Sequence, residues 1–157
     1  MARILGVDYG ARRIGLALSD PDGIVATVLR LAEVASEAQA VAAVVAACRE
    51  TEAERIVIGL PLTLRGTNGP MAERTQAFAR TVEAASGLPV VLWDERFSTA
   101  QAERALAAGA VASRRRKGLR DMLAAQVTLQ SYLDAQAAVA GKAAEGAEQD
   151  CDGALPD

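Results

Sequence analysis

The sequence predicts an α/β fold: a five-stranded mixed sheet, three antiparallel strands followed by two reached through parallel crossovers, flanked by helices. Two observations predict it. The first 31 residues hold three short apolar runs joined by tight links, the pattern of consecutive hairpins. From Ser36 onward the apolar period changes, and helical stretches alternate with short strand-like runs, the pattern of crossovers between parallel strands. With 157 residues and 51% apolar composition, the chain suits one domain with a real core.

Taken in order, "RILGVDYG" (3–10), "IGLALSD" (14–20) and "IVATVLRL" (24–31) read as three strands. The short "ARR" link suggests a hairpin between the first two, and Pro21-Asp22-Gly23 is a turn signal between the second and third. Ser36 and Gln39 have capping-box spacing, and Val41, Val44, Val45 and Cys48 follow at helical spacing, so a helix is expected over 36–51. "RIVIGLP" (55–61) is a fourth strand, stopped by Pro61. After the polar loop "LTLRGTNGP", a helix over 71–86 closes at Gly87 and Pro89. "VVLW" (90–93) is the fifth strand. Ser98 and Gln101 open a helix ending near Gly109, "VASRRRKG" (111–118) is a loop, and a last helix covers 119–138. That helix carries Met122, Ala125, Leu129, Tyr132 and Leu133 on one stripe. The expected domain is 1–138, with 139–157 a disordered acidic tail.

Composition removes several chemistries. The chain has no histidine, which excludes a Ser-His-Asp triad, a Cys-His pair and a His-ligated zinc site together. Cys48 and Cys151 lack metal-type spacing, and a reducing cytoplasmic setting fits them. No apolar run is long enough to span a membrane, and no signal-peptide pattern opens the chain. The net charge of −3 conceals an asymmetry. Residues 143–157 hold five acids and no base, leaving 17 bases against 15 acids upstream. The body is thus mildly basic.

Three acids stand where chemistry would want them. Asp8 lies in the first strand, on the side of Ile4 and Gly6, and Glu95 follows the fifth strand in "VVLWDERFST". With those strands parallel, the two carboxylates share one sheet edge, the edge where open α/β sheets place ligands. Asp121 sits in the expected first turn of the last helix. Each has a plain structural reading: a turn, a salt bridge with Arg96, a helix-dipole complement. Together, three clustered carboxylates need a compensating cation, and Mg²⁺ or Mn²⁺ supplies it through oxygen ligands alone. The bases flank these acids. Arg12 and Arg13 follow the Asp8 strand, Arg96 follows Glu95, and Arg114, Arg115, Arg116 and Lys117 precede Asp121. Such a basic rim can hold the phosphates on either side of a cut, although a solvated charged loop explains the same residues. Asp94 alternates to the other face, and Ser98 and Thr99 read as helix caps rather than nucleophiles.

"GVDYGARRIGLALSD", "IGLPLTLRGTNG", "DERFST" and "KGLRDMLAAQVTLQSYL", in that order over about residues 3–134, resemble the YqgF family, also called RuvX. The resemblance implies the RNase H-like fold and a metal-dependent nuclease with Asp8, Glu95 and Asp121 as its acidic triad. It also implies processing of the 5′ end of pre-16S ribosomal RNA and, by analogy, action on structured DNA such as four-way junctions. The family often reads Asn, then Asp, before the glycine of the loop after the fourth strand, where this chain has Thr63 and Arg65. The first hairpin also resembles the phosphate hairpin of the actin and sugar-kinase superfamily. Those proteins need two such domains, and there is no GxxxxGK[ST] loop here. A nucleic-acid-binding module without cleavage is the alternative. The oligomeric state stays open between monomer and homodimer.

Overall fold

The computed structural model describes residues 3–61, 69–94 and 123–140. Its elements run β1 (Arg3–Tyr9), β2 (Arg13–Ser19), β3 (Ala26–Glu33), α1 (Glu37–Thr51), β4 (Ala53–Leu60), α2 (Pro70–Ser86) and β5 (Val90–Asp94). A last helix, α3, covers 123–140. The strands form one sheet in the order β3-β2-β1-β4-β5. β1 pairs antiparallel with β2, and β2 with β3. β1 pairs parallel with β4, and β4 with β5. The mixed sheet is the expected one, with β3 and β5 at its edges and β1 at its centre.

Local chemistry explains the element ends. Ser36 caps α1 by accepting the Gln39 N–H at 3.2 Å, while the Gln39 side-chain oxygen accepts the Ala35 N–H at 2.8 Å, one residue before the cap. Pro70 opens α2, and Gly87, at φ 71°, closes it by donating its N–H to the Glu83 carbonyl at 3.0 Å. β3 starts at Ala26, two residues later than the sequence suggested. The Asp20 carboxylate accepts the N–H groups of Ile24 at 2.7 Å and Val25 at 3.0 Å, so these residues belong to the turn and not to the sheet ladder. α3 continues to residue 140, past the expected 138. The helix expected over 98–109, the loop over 111–118 and the tail from 141 lie outside the described residues.

Each face of the sheet carries its own core. Leu5, Val7, Ile14, Leu16, Ile56 and Ile58 pack with Val44 and Cys48 of α1 and with Phe78 and Val82 of α2. Alternate residues point the other way. There Ala17, Ala26 and Val57 pack with Ala125, Leu129, Tyr132 and Leu133 of α3, with Ile4, Val91 and Trp93 at the margin. The two-residue strand period thus divides one sheet between two helical layers.

Candidate active site

Asp8 is the next-to-last residue of β1 and is half-buried. It stands opposite Gly15 of β2 in the antiparallel pair. On the other side, Val7 is level with Ile58, so Gly59 is the following residue of β4 beside Asp8. Glycine thus stands beside Asp8 on both neighbouring strands, and neither adds a side chain to the sheet surface there. A glycine inside a strand often marks such a place, where a ligand approaches the backbone.

The turn after β1 is built tightly. Gly10 donates its N–H to the Arg13 carbonyl at 3.0 Å, and a Cβ at Gly10 would stand 2.7 Å from that same oxygen. Only glycine fits there without moving the backbone. Val34 donates to the Arg12 carbonyl at 2.9 Å, tying the turn to the end of β3. Tyr9 points to the opposite face, where its ring stacks on Phe78 with centroids 4.1 Å apart. The strand end that carries Asp8 is thus fixed from both sides.

A cleft of about 340 Å³ opens here, lined by Asp8, Gly10, Ala11, Arg12, Arg13, Gly15 and Leu31. Arg12 and Arg13 also line an adjoining cleft of about 740 Å³, with Glu33, Val34, Ala35 and Gln39. Among the described residues, two arginines thus line the smaller cleft together with Asp8, a pairing suited to an anionic ligand held beside an acid.

The ends of the parallel strands converge on the same edge. Ile58 is level with Leu92, Gly59 with Trp93 and Leu60 with Asp94. Trp93 lies on the α3 face, where its indole N–H donates to the Ser131 hydroxyl at 3.1 Å and its ring meets Tyr132 edge-on. α3 crosses this face against the direction of β1. Ala125 and Leu129 lie over Gly6, whereas Tyr132 accepts from Arg55, which is level with Ile4. The leading end of α3 thus points toward the Asp8 end of β1.

The family model for RuvX, described as Holliday junction resolvase, matches residues 2–135. This chain belongs to the RuvX family. A relative from Syntrophus aciditrophicus is 47% identical over 133 residues, covering 85% of this chain and 89% of that one. One from Listeria monocytogenes is 42% identical over 134 residues, covering 84% and 97%. Both carry the name "Putative pre-16S rRNA nuclease". Among solved structures, Thermus thermophilus RuvC in complex with Holliday junction substrate aligns with TM-score 0.55 at 16% identity, covering 85% of this chain and 95% of that one. The fowlpox virus Holliday junction resolvase aligns with TM-score 0.50 at 11% identity, covering 85% and 99%. At these identities the structural likeness establishes the RNase H-like resolvase fold.

Of the acids and bases read from the RuvX sequence, Asp8, Arg12 and Arg13 come together in one cleft. Glu95, Arg96, Asp121 and the run from Arg114 to Lys117 lie outside the described residues, as do Thr63, Arg65, Ser98 and Thr99. Among the described residues no group of three potential metal ligands forms. Two features of the RuvX site escaped the sequence reading. One is the glycine pair beside Asp8, visible as the second letter of "IGLA" and the third of "VIGL". The other is a set of polar clamps under α3. Gln126 donates to the Ala26 carbonyl at 3.0 Å. Gln130 accepts the Ala26 N–H at 2.8 Å and donates to the Ile24 carbonyl at 2.9 Å. The signal for these was two glutamines four apart along the border of an apolar stripe.

Proposed function

We propose that this chain is a divalent-metal-dependent nuclease that hydrolyses phosphodiester bonds, with pre-16S ribosomal RNA as its substrate and structured DNA such as four-way junctions as a second one. The observation that carries this reading is the half-buried Asp8, set between two strand glycines and facing a cleft walled by Arg12 and Arg13. The names of the relatives point to ribosomal RNA, and the family description points to junctions.

The donor chemistry fits Mg²⁺ or Mn²⁺. Asp8 is a hard oxygen donor, no nitrogen or sulfur ligand lines the cleft among the described residues, and the chain has no histidine to favour zinc. We assign Asp8, Glu95 and Asp121 as the ligand set. Glu95 directly follows Asp94, and two residues before it Trp93 faces the α3 side, the side of Asp8. Asp121 precedes Ala125 by four residues in the sequence, and Ala125 lies over Gly6, two residues before Asp8.

When bound, the ion would supply Lewis-acid stabilisation of the negative charge on the phosphoryl and leaving oxygens. The chain does the rest. Asp8 and its partner acids fix the ion's place at the strand ends. Gly15 leaves room for the scissile phosphate to approach. Arg12 and Arg13 hold neighbouring phosphates and set the path of the backbone, and Arg96 with Arg114, Arg115, Arg116 and Lys117 extends that grip. A cytoplasmic setting agrees with the buried, unpaired thiol of Cys48.

The test is Asp8→Asn, assayed with Mg²⁺ and Mn²⁺ on a pre-16S leader RNA, a four-way junction and single strands. Cleavage should fall by about 100-fold or more, since loss of even an outer-shell partner costs a metal site 10–100-fold. A variant as fast as wild type removes Asp8 from the mechanism. Tight binding with no cleavage under any divalent ion returns the non-catalytic binding module.

A further inference from the structure

We propose that Gly6 is a positioning residue of this nuclease centre: its missing side chain sets how closely the leading end of α3 sits over β1 beside Asp8. The inference rests on the metal-centre reading above and adds to it a residue that binds nothing. Gly6 is buried on the α3 face, two residues before Asp8 on the same side of the strand. A Cβ at Gly6 would stand 2.8 Å from Leu129 Cβ, 3.2 Å from the Ala125 carbonyl oxygen and 3.2 Å from Leu129 Cδ2. Leu129 Cβ and the Ala125 oxygen are fixed to the helix backbone, so no rotamer change relieves the contact. The helix itself must move.

Backbone conformation does not explain the glycine. The positive-φ glycines among the described residues are Gly23 and Gly87, and Gly6 continues an ordinary strand. Glycine inside a strand weakens it, so the position keeps glycine at a cost, and close approach is what it gains.

The clamps decide where a push is relieved. α3 is held to β3 through Gln126 and Gln130, to β5 through Ser131 and to β4 through Tyr132. Among the described residues, these bonds between α3 and the strands cover residues 126–132. Ala125 precedes them, at the end that points toward Asp8. A methyl at Gly6 therefore tilts the leading end away from the strand while the clamps retain the rest. Metal centres tolerate about 0.5 Å of ligand displacement, and a shift of a few tenths at Ala125 grows toward the helix start.

The experiment compares Gly6→Ala with Leu133→Ala, which opens a hole at the far end of the same helix. Three quantities are read on each folded protein: urea stability, Mn²⁺ affinity by calorimetry, and emission of Trp93, the single tryptophan of the chain. G6A should bind Mn²⁺ about 10-fold or more weakly and keep the wild-type Trp93 emission, because the clamps hold Ser131 and Tyr132 against that ring. L133A should lose stability and bind Mn²⁺ as wild type does. Equal Mn²⁺ affinities in G6A and wild type overturn the proposal, and so does a loss in L133A that matches G6A at equal stability. If G6A does not fold, Leu129→Ile presses on the same gap from the helix side, and unchanged Mn²⁺ affinity there overturns it. If wild type binds no Mn²⁺, the metal centre fails by itself. The Gly6 contact then stands or falls on the urea stability of G6A: a variant as stable as wild type means that the added methyl meets nothing.

Discussion

The two faces of the sheet are built to different rules. The face under α1 and α2 is filled with large side chains, among them Leu5, Ile14, Leu16, Ile56, Ile58 and Phe78, all fully buried. The face under α3 sets small sheet residues, Gly6, Ala17 and Ala26, against Leu129, Tyr132 and Leu133 of the helix, and that helix is also held by polar clamps. Large apolar contacts supply stability and tolerate small shifts. Hydrogen bonds and close backbone approach supply less energy but fix register. The candidate site lies on the second face, at its edge, where register matters most.

The largest stability effect should therefore come from the first face. Ile56→Ala removes a fully buried side chain between β4 and the helices, at a cost of about 2–5 kcal/mol by urea unfolding. Cleavage by the folded fraction should stay at the wild-type level. If I56A keeps its stability but loses cleavage, the division of labour between the faces is wrong.

The second face should answer in the opposite sense. Gln130→Ala leaves the Ala26 N–H and the Ile24 carbonyl without their side-chain partner, at a cost of about 1–3 kcal/mol. Its effect on cleavage should exceed that of I56A even though its effect on stability is smaller. Ser131→Ala is gentler. It removes the Ser131 hydroxyl that accepts the Trp93 indole N–H, at a cost of about 0.5–1.5 kcal/mol, and should shift Trp93 emission. An unchanged spectrum would mean that the indole is not held by this contact.

The contrast also shows what a sequence makes legible. The hairpins, the crossovers and the parallel trio of β1, β4 and β5 followed from apolar period and turn residues, because burial writes a period into the chain. Asp8, Arg12 and Arg13 stood out because charge at a strand end has few structural uses. The start of β3 was misplaced because Ile24 and Val25 are apolar yet exposed, at 63% and 50%, in a turn organised by Asp20. The glutamine clamps and the Gly6 contact were hidden for another reason. They join residues about 100 positions apart, and no local pattern encodes which carbonyl a glutamine will meet.

pH separates the two faces by still smaller effects. On the first face, burial pushes the Cys48 thiol up to about 11. The folded state resists ionisation that the unfolded state accepts, so stability is full below the ordinary thiol range and declines as pH rises toward 11. Cys48→Ala should flatten this alkaline decline. On the second face the group is Asp20, whose carboxyl is held below its ordinary value by the Val25 N–H first and the Ile24 N–H next. A lowered folded pKa gives stability that is present above the unfolded value and is lost as pH falls through the folded one. Asp20 lies at a surface turn, so the loss is small, but that turn presents the Ile24 carbonyl to Gln130. Asp20→Asn keeps an acceptor oxygen and removes the titration. It should match wild type in urea at pH 7 and lack the acid-side slope. Asp20→Ala removes the acceptor itself, so it should be weaker than wild type at pH 7 and no weaker in acid. An acid slope in D20N equal to that of wild type would show that the turn under α3 is not the group being titrated.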